Sequence, residues 1–229
     1  MDAENTELDI DQYICKRMRD INMYKKFGKR LVDVTLSACG IVALAPVWVI
    51  LAAAIKMDDP GPVFFRQKRI AQDKNGEKQF FQIYKYRSMK MCTPRDCPTH
   101  LLENPEQYIT KVGGFLRKTS LDELPQIFNI FLGQMSIIGP RPALWNQDDL
   151  YEERAKYGAN DVKPGLSGWA QINGRDELPI EVKAKLDGEY VEKLSFGFDV
   201  KCFLGTIASV LKSEGVVEGG TGAMEKEKK

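Results

Sequence analysis

The chain has 229 residues, 43% of them apolar and 28% charged, with a net charge of +1. That length and balance fit one folded domain with appendages and exclude a disordered polyelectrolyte. The near-neutral total argues against a general nucleic-acid binder.

Near the N-terminus, Ile10, Tyr13, Ile14, Met18, Ile21 and Tyr24 recur at helical spacing, with Lys16, Arg17 and Arg19 between them. This predicts an amphipathic basic helix over 1–24, suited to an anionic membrane surface or to a partner. The run from Leu31 to Ile55 follows. It reaches the ~20 residues needed to span a bilayer. It starts too late and runs too long for a cleaved leader. Three features argue against a simple crossing. Pro46 breaks the helical ladder near the middle. Asp33, Thr35 and Ser37 crowd the leading end, where a charge is tolerated only near the interface. Both flanks are basic: Lys25, Lys26, Lys29 and Arg30 precede the run, and Lys56, Arg66, Lys68 and Arg69 follow it. Positive charge marks the cytoplasmic side, so two basic ends favour a re-entrant helix–break–helix hairpin over 25–57, ahead of a Pro-kinked spanning helix or a buried core helix.

Asp58-Asp59-Pro60-Gly61-Pro62 is a turn signal. Val63–Gln67 and Gln79–Tyr86 read as two strands joined around Asn75-Gly76, a β-hairpin. Met91 to Glu106 is polar and irregular. It holds Cys92, Cys97 and His100, the only histidine, but no second ligand pair follows to complete a zinc site. The five cysteines have no paired spacing and read as reduced thiols. Leu121 to Gly133 carries helical periodicity, as do Ile180–Lys193 and Phe196–Leu211. The last of these could rest on a membrane or on the core. Residues 216–229 form a polar tail expected to be disordered, which leaves 58–215 as a catalytic domain. Helices with one β-hairpin predict an α+β fold.

Neither a Walker-type loop nor a GxGxxG is present, so nucleotide binding would need other means. Chemistry concentrates in Gly113–Pro142. Ser120 and Glu123 have capping-box spacing, which alone would make Asp122 and Glu123 helix-start acids. Their neighbours change that weighting. Arg117 and Lys118 precede them, Arg141 sits between two prolines, and Lys85 and Arg87 come from the second strand. Carboxylates among forked cations suit a magnesium–phosphate site.

The stretches Lys29–Asp33, Pro62–Gln67, Tyr84–Met89, Arg117–Gln126, Gly139–Pro142 and Lys163–Arg175 resemble the bacterial sugar transferase family of monotopic phosphoglycosyl transferases. The likeness extends from about Lys25 to about Gly215. It implies transfer of a sugar-1-phosphate from a UDP-sugar to polyprenol phosphate, with UMP released, at the first membrane step of exopolysaccharide, capsule or glycan synthesis. It implies Asp122 as nucleophile and magnesium ligand, and Glu123 as an assisting acid. Lys85, Arg87, Arg117 and Arg141 would bind phosphate, and Mg2+ would be the cofactor. It places the chain on membrane lipid at the cytoplasmic face of the bacterial inner membrane. Homo-oligomers are compatible with it; a nucleic-acid partner is not. Asp187 and Tyr190 match a downstream pattern of unassigned role. One departure is Ala45-Pro46, where some members carry Ser-Pro. Alanine cannot satisfy a carbonyl freed by the proline, so another group must. The competing readings are a membrane-bound nucleotide-sugar hydrolase and a non-catalytic scaffold for glycan assembly.

Overall fold

A computed structural model describes residues 23–93, 104–174 and 178–212. Most of the expected N-terminal helix, the Cys97 and His100 positions and the C-terminal tail lie outside them. The fold is α+β, as expected.

A π-turn at Tyr24–Gly28 leads into α1 (Lys29–Ala43), and α2 (Ala45–Asp58) follows after a 62° bend. No single helix among the described residues is long and apolar enough to cross a membrane, but this bent pair passes by length and composition. Pro46 lies in the first turn of α2, where its missing N–H breaks no ladder bond. The carbonyl of Ile41 is met by the Trp48 indole, whose Nε1 donates to it at 3.2 Å. This bond ties the first turn of α2 back to the last turn of α1.

The helix pair turns apolar side chains outward, and α1 buries polar ones. Leu31, Leu36, Val42, Val49, Ile50 and Met57 are exposed, whereas Asp33 and Ser37 are buried. The expectation that Asp33 is tolerated by lying at an interface is replaced by a specific contact. Its Oδ1 accepts from the Ile137 amide at 2.9 Å and from Ser136 Oγ at 3.0 Å. A buried polar group is affordable when so paired. Arg30 donates to the carbonyls of Ile130 and Phe131, both at 2.7 Å. Leu51 and Ile55 pack with Tyr86 and Leu116 in the core. α1 is thus pinned to the rest of the domain by polar contacts and α2 by apolar ones.

The hairpin is formed by β1 (Phe64–Ile70) and β2 (Phe80–Tyr86), antiparallel with Gln67 opposite Ile83. Asn75 and Gly76 both take positive φ, +56° and +76°, as the predicted tight turn requires. The free edge of β2 is met by one side chain. Asn129 Oδ1 accepts from the Tyr84 amide at 2.9 Å, and its Nδ2 donates to the Gln82 carbonyl at 2.8 Å. That leaves fewer unpaired backbone groups on the edge.

α3 (Lys111–Lys118) is capped by Thr110, whose Oγ1 accepts from the Gly113 amide, and by Asp58, which accepts from the Val112 amide at 2.7 Å. The predicted helix over Leu121–Gly133 is split. A 3₁₀ turn at Leu121–Glu123 is followed, after Pro125, by α4 (Gln126–Leu132). Proline at the break offers no N–H to a continuous ladder, so periodicity alone overestimated the helix. β3 (Ser136–Ile138) pairs in parallel with β4 (Gly165–Ser167), with α5 (Asp148–Ala155) between them. Gly139 and Gly165 cross so closely that a Cβ on Gly165 would sit 2.1 Å from Gly139 N. No other residue type fits there, and the crossing launches the Pro140–Pro142 loop. The chain ends in α6 (Trp169–Ile172), α7 (Ile180–Lys193) and α8 (Phe196–Lys212). On α8, Cys202 and Asp199 face the core while Phe196, Phe203, Leu204 and Ile207 are exposed.

Candidate active site

Two separate segments converge on Glu123. Lys85, near the end of β2, places Nζ 2.9 Å from its Oε1. Arg141, from the loop launched at Gly139, places Nη2 2.8 Å from Oε1 and Nη1 3.4 Å from Oε2. This two-pronged arrangement suits a planar guanidinium. Ser120 makes no capping bond through its side chain and adopts left-handed backbone, φ +57°. The capping-box reading of Ser120 and Glu123 is therefore overturned: a corner at Ser120 turns Glu123 to the two cations instead.

The neighbouring acid is in a different state. Asp122 is buried, and burial pushes its carboxyl above the ordinary value. Lys85 opposes that shift, Glu123 adds to it, and Arg117 and Arg141 oppose it further. Burial also acts against ionised Glu123, but Arg141 and Lys85 together outweigh it and hold that carboxyl far below the usual range. Adjacent acids with divided pKa values are the arrangement expected when one is a fixed counter-ion and the other does chemistry.

Not every expected phosphate ligand joins them. Arg117, in the last turn of α3, acts on Asp122 through space. Arg87 is buried and holds Asp59, its Nη1 2.5 Å from Oδ2 and its Nη2 on the Asp59 carbonyl. It ties β2 to the end of α2. Asp187 is fully buried against Arg154, and Tyr190 lies 2.8 Å from Asp199, which also receives Tyr24 and Lys29. Both of these members of the unassigned pattern sit in the packing between helices.

One contributor escaped the sequence reading. Arg69 on β1 donates to the Pro142 carbonyl at 3.0 Å, and Ile70 N donates to the Ala143 carbonyl. β1 thereby holds the loop that carries Arg141. Strand alternation was the missed signal. In this register Arg69 shares a sheet face with Ile83 and Lys85. Arg69, Lys85, Glu123, Gln126 and Arg141 line a small cleft.

The bent apolar helix pair, the split acid pair and the cationic cleft define a class: an α+β domain that sets a buried, cation-flanked acid pair beside an exposed apolar surface. The sequence profile of the Bacterial sugar transferase family matches residues 24–213. The chain belongs to that family. It is 39% identical over 186 residues to the UDP-glucose:undecaprenyl-phosphate glucose-1-phosphate transferase of Escherichia coli, an alignment covering 78% of this chain and 39% of that protein. It is 39% identical to an uncharacterised sugar transferase of Bacillus subtilis, covering 82% of this chain and 89% of the relative. It is 33% identical to a UDP-N-acetylgalactosamine-undecaprenyl-phosphate N-acetylgalactosaminephosphotransferase of Aeromonas hydrophila, covering 82% and 45%. The chain thus spans less than half the length of the first and third of these relatives.

Proposed function

We propose that this protein moves a sugar-1-phosphate from a UDP-sugar to polyprenol phosphate, yielding a polyprenyl-diphosphate sugar and UMP. The observation that carries it is the division of labour between adjacent acids: Glu123 neutralised by Lys85 and Arg141, Asp122 buried beside them. In the first step an Asp122 carboxylate oxygen attacks the β-phosphorus. The phosphorus–oxygen bond to UMP breaks, and UMP leaves with the electron pair. In the second step a phosphate oxygen of the polyprenol phosphate attacks the same phosphorus, and Asp122 is released as carboxylate. Splitting the transfer in two uses the same cleft for leaving group and acceptor. Lys85, Arg117 and Arg141 balance the negative charge as it builds on the phosphoryl oxygens.

Among the described residues no three His, Cys, Asp or Glu side chains gather into a metal cage. Magnesium does not need one, since it is commonly held by one or two carboxylates and substrate phosphates. Asp122 fits that mode, because Glu123 is already taken by cations. When bound, Mg2+ would neutralise diphosphate charge.

We further propose that the bent pair over α1 and α2 enters and leaves one leaflet, with α8 lying on the surface. The support is the exposed apolar set on α1, α2 and α8, together with the basic flanks at both ends. This seats the cleft on the cytoplasmic side, where a soluble donor meets a lipid acceptor.

The test is UMP release from a panel of UDP-sugars by purified protein in lipid nanodiscs, with and without polyprenol phosphate. A lipid-linked diphosphate sugar is expected. Free sugar-1-phosphate that forms regardless of the lipid would instead identify a hydrolase, and no turnover would leave a scaffold. Impermeant amine labelling in sealed vesicles is expected to modify Lys25 and Lys56 from the same side; opposite sides would rule out the re-entrant path. A second measurement concerns pH. The acid limb of kcat/KM should lie above the ordinary carboxylate range, because Asp122 must be ionised and its folded-state value is raised. Lys85→Met removes the largest opposing charge, so that limb should move to still higher pH, with about a 10-fold loss near neutrality. A limb that stays put or moves down would separate Lys85 from Asp122.

A further inference from the structure

The roles given above to the acids and cations leave Gln126 unaccounted for. This residue opens α4, three positions after Glu123 and four after Asp122. It lines the cleft with Arg69, Lys85, Glu123 and Arg141, yet only 2% of it is exposed. Its amide Nε2 is buried and, among the described residues, has no hydrogen-bond partner. Buried donors are nearly always satisfied, and one left open beside a cleft points to a ligand that completes it.

The surroundings select the ligand. The cleft presents three cations, Arg69, Lys85 and Arg141, against one carboxylate, Glu123. An anion is favoured there over a neutral sugar hydroxyl. A carboxamide N–H adds a directed donor to that field without adding charge. It can bind a phosphate oxygen without forming another ion pair to compete for Glu123 or Asp122. We propose that the Gln126 carboxamide donates to a non-bridging oxygen of the phosphoryl group under transfer. This rests on the phosphotransferase reading above and assigns a substrate contact within it. Arg141 is steered by Arg69 through the Pro142 carbonyl, so the two sides of the cleft present their donors from separately anchored segments.

The test compares wild type with Gln126→Met, which keeps the unbranched stem but removes the donor, and with Gln126→Glu, which keeps an acceptor of similar size. Three quantities are read: Tm without ligand, the Tm shift produced by millimolar inorganic pyrophosphate with Mg2+, and the pH profile of kcat/KM. For Gln126→Met the unliganded Tm should match or exceed wild type, since an unmet buried donor is gone. The pyrophosphate shift should shrink, kcat/KM should fall about 10-fold, and the acid limb should not move. Gln126→Glu should lose more, because it adds a negative charge facing phosphate. Four results overturn the contact: an undiminished pyrophosphate shift, wild-type turnover in Gln126→Met, a parallel fall of Tm and activity, or an acid limb that moves upward. The last would assign the amide to Asp122 instead. Should wild type yield no lipid-linked product while its pyrophosphate shift still depends on Gln126, the transferase reading fails and the anion contact stands.

Discussion

Asp122→Asn is expected to lower UMP release by at least ~10³-fold while the protein stays folded and membrane-bound. The amide is nearly the shape of the carboxylate but cannot form the aspartyl phosphate. Stability should hold or rise, because the substitution removes a buried charge next to Glu123. Glu123→Gln separates the two roles. It deprives Lys85 and Arg141 of their shared counter-ion, so Tm should fall together with activity. The loss of turnover should be smaller, about 10- to 100-fold, since the attacking atom remains. Single-turnover assays with a labelled UDP-sugar provide the check. Wild type without acceptor should carry label on the protein, Glu123→Gln should carry it slowly, and Asp122→Asn not at all. Turnover of Asp122→Asn within 10-fold of wild type would remove Asp122 as nucleophile.

The parts of this site that were legible in advance share a property: they are written in neighbouring residues. The acid pair, the Pro-Arg-Pro loop and the Asn75-Gly76 hairpin each declare themselves within a few positions. What the sequence concealed depends on pairing across distance. Arg87 lies two positions after Lys85, just past the end of β2, and looks equivalent to it, yet Arg87 is taken by Asp59 while Lys85 reaches Glu123. Nothing local distinguishes them; the end of α2 does. Arg69 was visible as a basic flank of the apolar run, but its role depends on the Pro140–Leu144 segment lying along β1. Asp33 looked like an interfacial charge until β3 supplied its donors. The helix predicted over Leu121–Gly133 failed because periodicity reports burial, and a 3₁₀ turn followed by a short helix can bury nearly the same positions as one continuous helix.

The largest stability effect lies away from the chemistry, at Asp187, a residue the sequence marked without explaining. Arg154 on α5 and Asp187 on α7 meet with Nη2 2.6 Å and Nε 2.8 Å from Oδ2, and Asp187 is 0% exposed. Arg154 also lines a cavity under Pro140, Pro142 and Ala143, so the pair supports the floor of the loop that presents Arg141. Arg154→Met leaves a buried carboxylate without its cation. The expected cost is about 3–5 kcal/mol, a fall in Tm on the order of 10 °C. Its pH dependence has a definite sign. Burial raises the Asp187 carboxyl above its ordinary value, and Arg154 opposes that rise, so removing Arg154 raises it further. An acid whose folded value is raised destabilises the fold wherever it is ionised. That penalty disappears as pH falls and the carboxyl takes up its proton. The gap between variant and wild type should therefore be widest near neutrality and narrow toward acid. Arg154→Met/Asp187→Leu removes both charges and should recover most of the loss, since replacing a whole buried pair is often neutral or better. Thermal unfolding of the four proteins across pH reads this directly. A deficit that does not vary with pH, or a double variant no better than Arg154→Met, would mean that packing rather than charge governs the joint between α5 and α7.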